Sequence, residues 1–352
     1  METIPLPTLP VRPADSHKGD YGKVLVIAGS ETMIGAPALV ALAAFRTGSG
    51  LVRIAAPKEI IPSVLTICPY ATAFAWSATK IKDLLTFADE HDVLAVGPGL
   101  GNSAAVKRLI LELVERHHGP MVFDADALNV LAALEPSEWP KRRNWGNIVL
   151  TPHMGEYMRL VSAVMKRGAD VSLAPTANEP AAAAVGATST KKLRSLADDD
   201  DAPSTADGMV LDMPEDSSAA PENGAEAKSA PSNTPALPDR TPLAELLARG
   251  TGTIVVLKGQ GSVITDGVHV AINKTGNPAM ATAGSGDALT GIIASLIGQK
   301  MSPLAAAVLG THVHGAAGDL ARNAIGPDGV GLTSGDLIEK IPQALAACIA
   351  NS

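Results

Sequence analysis

Aromatic side chains are scarce in this chain: four Phe, three Trp and three Tyr in 352 residues. That argues against the stacking platforms on which single-stranded nucleic acid is held. Basic residues are outnumbered, 28 Lys and Arg against 36 Asp and Glu, for a formal net charge of -8. Such a surface opposes phosphate backbones and anionic lipid, both of which need clustered cations, so neither nucleic acid nor a membrane is an expected partner. The two cysteines, Cys68 and Cys348, lie far apart. Neither a disulfide framework nor a thiolate zinc site is indicated, and a reducing cytoplasm fits. No run reaches the roughly 18 uninterrupted apolar residues of a membrane helix. The first residues carry Glu2 and several prolines rather than a basic patch followed by an apolar stretch, so no signal peptide is expected. What is abundant is small and aliphatic. With 46% apolar residues, 33 Gly and 26 Pro, the core is expected to be Ala, Val, Leu and Ile packed around tight turns.

Residues 170–240 break the pattern. They hold no aromatic residue, eight prolines, the acidic run 198–201 and Ala/Ser/Pro/Glu tracts. Such a segment buries too little apolar surface to offset its ordering entropy and reads as a disordered low-complexity insertion. The remaining 1–169 and 241–352, about 280 residues, fit one α/β domain. Short β-branched runs at 23–28, 51–55, 93–96, 121–124 and 148–150 read as buried parallel strands. Helical spacing at 36–46 and 103–116 alternates with them, which implies a sheet covered on both faces. After the insertion, 243–248 reads as a helix, 253–258 and 263–265 as strands, and 286–297, 303–322 and 336–349 as helices.

The most informative stretch is GNPAMATAGSGDALTG. Gly284, Ser285 and Gly286 form a small-residue turn before an apolar helix, where backbone N–H groups converge on an anion. Asp287 follows in the first turn, placed to accept a proton from an attacking hydroxyl. Helix capping explains the same residues equally well when they are taken alone. A second loop, Lys258, Gly259, Gln260, Gly261 and Ser262, follows the strand IVVL, where open α/β sheets bind nucleotides. Neither loop matches the pattern GxxxxGK[ST], which disfavours a P-loop ATPase. GPGLG, with Gly99 and Gly101, is a weak dinucleotide signature because its third glycine is displaced. Asp124 and Asp126 in FDADALN, and His153 in TPHMGE, lie at strand ends, where capping and turn formation compete with a ligand-binding reading. His312 and His314 are two apart on a helix, so they diverge and read as structural.

In this order HKGDYGKVLVIAGS, MIGAPAL, AFRTGSGLV, VGPGLG, FDADALN, TPHMGE, VVLKGQGS, GNPAMATAGSGDALTG and HVHGAAGDLA resemble the NAD(P)H-hydrate dehydratases of the ribokinase-like superfamily. The resemblance spans nearly all of the chain outside 170–240. It implies a three-layer α/β/α fold with a mostly parallel sheet, and repair of hydrated NADH and NADPH with ADP or ATP and Mg²⁺. By that resemblance Asp287 is the base; Gly284 to Gly286 surround the transferred phosphate; Lys258 to Ser262 hold the nucleotide. Gly35, Ala36, Gly99, Gly101 and His153 would contact the hydrated cofactor, and Glu156 would organise magnesium through water. Ala279 and Ala283 stand where the family often has glycine. The pattern begins at His17, so the epimerase domain carried by many relatives is expected to act separately. A cytoplasmic homo-oligomer is the expected state. The nearest rival is a ribokinase-like kinase of a vitamin-type alcohol such as hydroxyethylthiazole, whose phosphoester would be released intact.

Overall fold

A computed structural model describes residues 1–140, 145–167, 239–326 and 328–350. Most of the strands are short aliphatic runs. β2 (Lys23–Ile27), β3 (Leu51–Ala56), β4 (Thr72–Ala75), β5 (Val93–Val96), β6 (Met121–Phe123), β7 (Ile148–Leu150) and β8 (Ile254–Leu257) run parallel, in the spatial order β8-β7-β6-β5-β2-β3-β4. β9 (Val263–Thr265) and β10 (His269–Ile272) add antiparallel strands beside β8, and β1 (Glu2–Thr3) finishes that edge. Alternation sends Val24 and Val26 into one apolar layer and Leu25 and Ile27 into the other.

Helices cover both faces. On one side lie α1 (Gly35–Thr47), α2 (Ile61–Ile67), α8 (Ser285–Gly298), α9 (Pro303–Ile325) and α10 (Ser334–Ala350). On the other lie α3 (Ile81–Ala88), α4 (Ala104–Arg116), α5 (Asp126–Ala132), α6 (Met154–Arg167) and α7 (Thr241–Thr251). The result is a three-layer α/β/α unit. Among the described residues no helix is long and apolar enough to cross a membrane.

Helix α8 is central because its body is buried and its start is not. Ala288 to Gly298 are all buried, and Ile292, Ile293, Leu296 and Ile297 each contribute about 1.5–3 kcal/mol by leaving water. A Cβ at Gly291 would collide with the Val40 carbonyl of α1, so a larger residue there would push the two helices apart. This packing drives the first turn of α8 out over the carboxyl ends of the strands. The chain also reverses direction across the sheet at this end: β2 feeds β3 on one side, while β5 lies on its other side. Ligands of open α/β sheets bind at such a switch.

The expected strands and core helices are present within a few residues of their anticipated bounds. The expected insertion, 170–240, lies outside the described residues except for Asp239 and Arg240.

Candidate active site

The loops after β2 and β5 meet first. Gly29 donates its N–H to the Pro98 carbonyl at 2.9 Å. Gly97 adopts φ +130°, and a Cβ there would run into the Asp124 carbonyl, which makes glycine necessary. Gly99 packs its backbone against Met33 and Ala36, joining the GPGLG loop to the start of α1, while Cβ positions on Gly35 and Gly101 would meet only open space. The N–H of Gly101 donates to Asp126 Oδ2 at 2.7 Å. These glycines therefore form one wall with little side chain on it.

Between Asp124 and Asp126, Ala125 sits at φ 50°, ψ −117°, a costly conformation for a residue with a Cβ. It lets successive carboxylates serve different elements. Asp126 turns toward Gly101, while Asp124, 1% exposed, turns inward. Its Oδ1 accepts from Lys258 Nζ at 2.7 Å and its Oδ2 from Thr290 Oγ1 of α8 at 3.0 Å. Burial pushes the Asp124 pKa up, but the Lys258 charge and hydrogen bonds from Lys258, Thr151 and Thr290 outweigh it, and the net direction is down. Burial likewise opposes charge on Lys258, and Asp124 and Glu156 more than restore it. The two form an ion pair whose carboxylate is buried and whose ammonium is part-buried.

The start of α8 stands over that pair. A Cβ on Gly286 would lie 3.2 Å from Lys258 Nζ and 3.3 Å from Asp124 Oδ2. Gly284 caps the helix at φ +83°; the Ser285 N–H donates back to the Thr282 carbonyl at 3.3 Å, while the amides of Gly286 and Asp287 have no preceding helical turn to bond. Asp287 follows with its pKa raised to about 7, first by burial and then by the negative charge of Asp124, against a smaller pull from Lys258. A carboxylate poised near neutrality beside the Gly286 amide at a helix start is equipped to take a proton from a group attacking a bound anion.

Glu156 lies across from Lys258, with Oε2 at 3.9 Å from Nζ. Burial raises its pKa, the Lys258 charge lowers it, and Asp124 raises it, for a net rise. Its Oε2 also accepts the His153 N–H at 2.9 Å, while His153 Nδ1 accepts the Gly155 N–H at 3.0 Å. His153, exposed, thus begins α6 with a reciprocal cap. The HKGD segment repeats the device: His17 Nδ1 accepts from Gly19 and Asp20 accepts from the His17 N–H. There it turns the chain before β2, at the opposite end of the sheet. Among the described residues no three His, Cys, Asp or Glu side chains are grouped to hold a metal ion.

Sequence reasoning missed the contribution of α9. His314 Nε2 lies 2.9 Å from the Ser285 carbonyl and 3.2 Å from its hydroxyl. Because a carbonyl only accepts, Nε2 carries the proton. Burial lowers the His314 pKa to about 4, so the ring is neutral at pH 7. Asp319 accepts from the Gly276 N–H at 2.9 Å and the Asn277 amide at 2.8 Å, and the His312 carbonyl accepts from Thr275 Oγ1. A Cβ on Gly315 would collide with Thr275. Residues 312, 315 and 319 lie on one helical face, a signal the paired-histidine reading overlooked. His312 and His314 do diverge, and His314 ends at the anion loop.

Comparisons with known proteins agree in what they resemble. A family model described as NAD(P)H-hydrate dehydratase matches residues 24–190 and 226–343. The bifunctional NAD(P)H-hydrate repair enzyme Nnr of Moorella thermoacetica is 35% identical over 347 residues, 96% of this chain and 52% of the relative. That of Escherichia coli is 32% identical over 324 residues, 91% of this chain and 47% of the relative. The chain thus spans about half the length of the curated relatives it matches. Among solved structures, the ADP/ATP-dependent NAD(P)H-hydrate dehydratase of Bacillus subtilis, co-crystallised with ATP/Mg²⁺, superposes with TM-score 0.67 at 27% identity, over 97% of this chain and 95% of that one. A ribokinase-like superfamily protein of Enterococcus faecalis gives TM-score 0.67 at 20% identity, covering 97% of this chain and 92% of that one. The fold is ribokinase-like.

Proposed function

The chain belongs to the NAD(P)H-hydrate dehydratase family, and from that premise we propose that it is a hydro-lyase returning the S form of hydrated NADH or NADPH to the reduced cofactor. ADP or ATP serves as phosphoryl donor. The observation that carries the reading is Asp287, a base near neutrality in the first turn of α8, directly after the Gly286 backbone that lies over the Asp124–Lys258 pair. The hydroxyl of the hydrated ring attacks the terminal phosphorus of the nucleotide. A new O–P bond forms as the bridging P–O bond breaks, and Asp287 takes the hydroxyl proton. Phosphate, a far better leaving group than hydroxide, then departs with the C–O electron pair. Loss of the neighbouring ring proton restores the double bond.

In this reading the Gly284 to Gly286 turn stabilises the migrating group, chiefly through the Gly284 and Gly286 amides because that of Ser285 is shared with the Thr282 carbonyl, and such charge stabilisation dominates the catalysis of phosphoryl transfer. The Lys258 to Ser262 loop receives the nucleotide. Lys258 acts through its charge, since its ammonium is already bonded to Asp124. Gly35, Ala36, Gly99, Gly101 and His153 form the wall for the hydrated ring, with open space at Gly35 and Gly101 and with Ala36 and Gly99 packed behind them. A magnesium ion would enter on the nucleotide phosphates and neutralise charge there. Its site fits an ion carried mainly by phosphate and water: Glu156 is close by, but its Oε2 is already bonded to the His153 N–H, and among the described residues no protein cage is built.

We place epimerisation of the other hydrate epimer on a separate domain or protein, and the working enzyme as a cytoplasmic homo-oligomer, whose assembly light scattering reads directly. Residues 170–240 are an insertion that supplies no reacting group. Purified protein given hydrated NADPH, Mg²⁺ and ADP should regenerate the near-ultraviolet absorbance of reduced nicotinamide. A stable phosphorylated alcohol without NADPH would overturn the proposal in favour of a kinase.

A further inference from the structure

Arg240 stands outside the chemistry described so far, just before α7. Its Nη1 donates to the Lys258 carbonyl at 3.0 Å, and its Nη2 donates to the Gly261 carbonyl at 3.0 Å and to that of Gln260. One planar cation therefore gathers carbonyls from most of a single turn. A Cβ on Gly259 would collide with the same Nη1, so the turn closes on the guanidinium at its tightest point.

Its other restraints lie mainly at its ends, where it joins the paired β8 and β9 and the Lys258 N–H donates to the Pro152 carbonyl at 2.8 Å. Gly259 and Gly261 adopt φ +138° and +64°, which marks a backbone that roams widely when released. Ser262 Oγ closes it by donating to the Gly259 carbonyl and accepting the Gly259 N–H, and the Asn273 N–H holds the Ser262 carbonyl. Ordering a loop costs about 1–2 kcal/mol per residue, a cost that falls on the ligand if the loop is loose beforehand. Because trans peptides point N–H opposite to C=O, drawing the Gln260 and Gly261 carbonyls toward Arg240 turns the Gly261 and Ser262 amides away from it.

We infer that Arg240 is a positioning residue that preorganises the Lys258 to Ser262 turn for the acceptor-rich nucleotide. The inference rests on the proposal that this turn receives the nucleotide. A guanidinium is required because its rigid fork serves several carbonyls at once, where an ammonium offers a compact point charge.

The test is titration of a fluorescent ADP analogue into wild type, Arg240→Lys and Arg240→Ala, with thermal melts and steady-state kinetics of the same proteins. Both variants should bind about tenfold or more weakly, the scale of one or two charge-assisted hydrogen bonds. The rise should appear in the nucleotide KM, with kcat at saturating nucleotide nearly unchanged, and added methylguanidinium should restore binding to Arg240→Ala. Wild type that binds the analogue alongside an Arg240→Lys protein that binds equally well overturns this inference and leaves the proposed function standing. Wild type that does not bind it at all overturns both. If Arg240→Ala does not fold, Arg240→Lys alone decides.

Discussion

Replacing Asp287 by Asn should kill the enzyme and stabilise it, and both effects follow from one pKa. The unfolded chain gives up this proton near 3.8 and the folded chain near 7. Between those values the folded state binds more protons, so the contribution of Asp287 to stability is complete below pH 3.8 and is lost as pH rises through about 7. At roughly 1.4 kcal/mol for each pH unit, the ceiling on that loss is about 4 kcal/mol. Asparagine keeps the shape without the charge. Urea unfolding should therefore show Asp287→Asn more stable than wild type by up to that amount at pH 8, with the advantage gone at pH 4. The same substitution should lower kcat by about 10²–10⁴-fold, the usual worth of a general base. In wild type, kcat/KM should rise with pH through about 7, because the free enzyme must have lost this proton to act. A variant no more stable at pH 8 than wild type, or one that keeps its rate, would refute the assignment of strain and chemistry to the same carboxylate.

Gly286→Ala separates the site from the fold. The helix should tolerate alanine, which helices favour over glycine by up to about 1 kcal/mol, while the added Cβ intrudes beside Lys258 Nζ and Asp124 Oδ2; a melt no lower than that of wild type with kcat/KM down about tenfold or more is expected. Lys258→Met leaves Asp124 buried without its counterion and should cost about 3–5 kcal/mol in urea unfolding at pH 7. Adding Asp124→Asn should recover part of that loss, and a single-variant cost below about 1 kcal/mol would show that the pair is dispensable. His314, held neutral by burial, makes the folded state resist protonation, so wild type should lose up to about 3 kcal/mol as pH falls from 6.5 through about 4. In His314→Gln the stability profile over that window should flatten, which denaturant titrations at several pH values would show.

Much of this architecture is legible in the residues. The parallel strands declare themselves because buried strands need uninterrupted β-branched and aliphatic runs, and KVLVI and IVVL have no other reading. Helix α8 is equally plain, since its apolar body follows the glycine turn. Where packing rather than pattern decides, the sequence is quieter. β4, with Thr72 and Ala73 exposed at the sheet edge, lacks a run of Val, Ile or Leu. Helices α2 and α5 have seven residues each, too few for periodicity to stand out. The site shows the same division. Asp287 and the glycines around it form a local motif and can be read locally. Asp124 cannot: beside a strand end it looks like any turn-forming aspartate, and its role appears only when Lys258 and Thr290 close over it. In sequence His314 reads as structural and Arg240 as the end of the insertion, both wrongly and for the same reason, since each acts on a loop that is its neighbour in space alone.

Asp124 also sets a timetable for synthesis. Lys258 lies 134 positions beyond it and Thr290 166 positions beyond. At roughly 5–20 residues per second, the ribosome delivers Lys258 about 7–27 seconds and Thr290 about 8–33 seconds after Asp124 itself. Until Lys258 arrives the half-built sheet has no cation to pair with an acid destined for its interior, so that end must stay hydrated and open. On the proposed mechanism, a truncated translation product ending before α8 would be an inert scaffold, and the chemistry would switch on only when the last third of the polypeptide has docked.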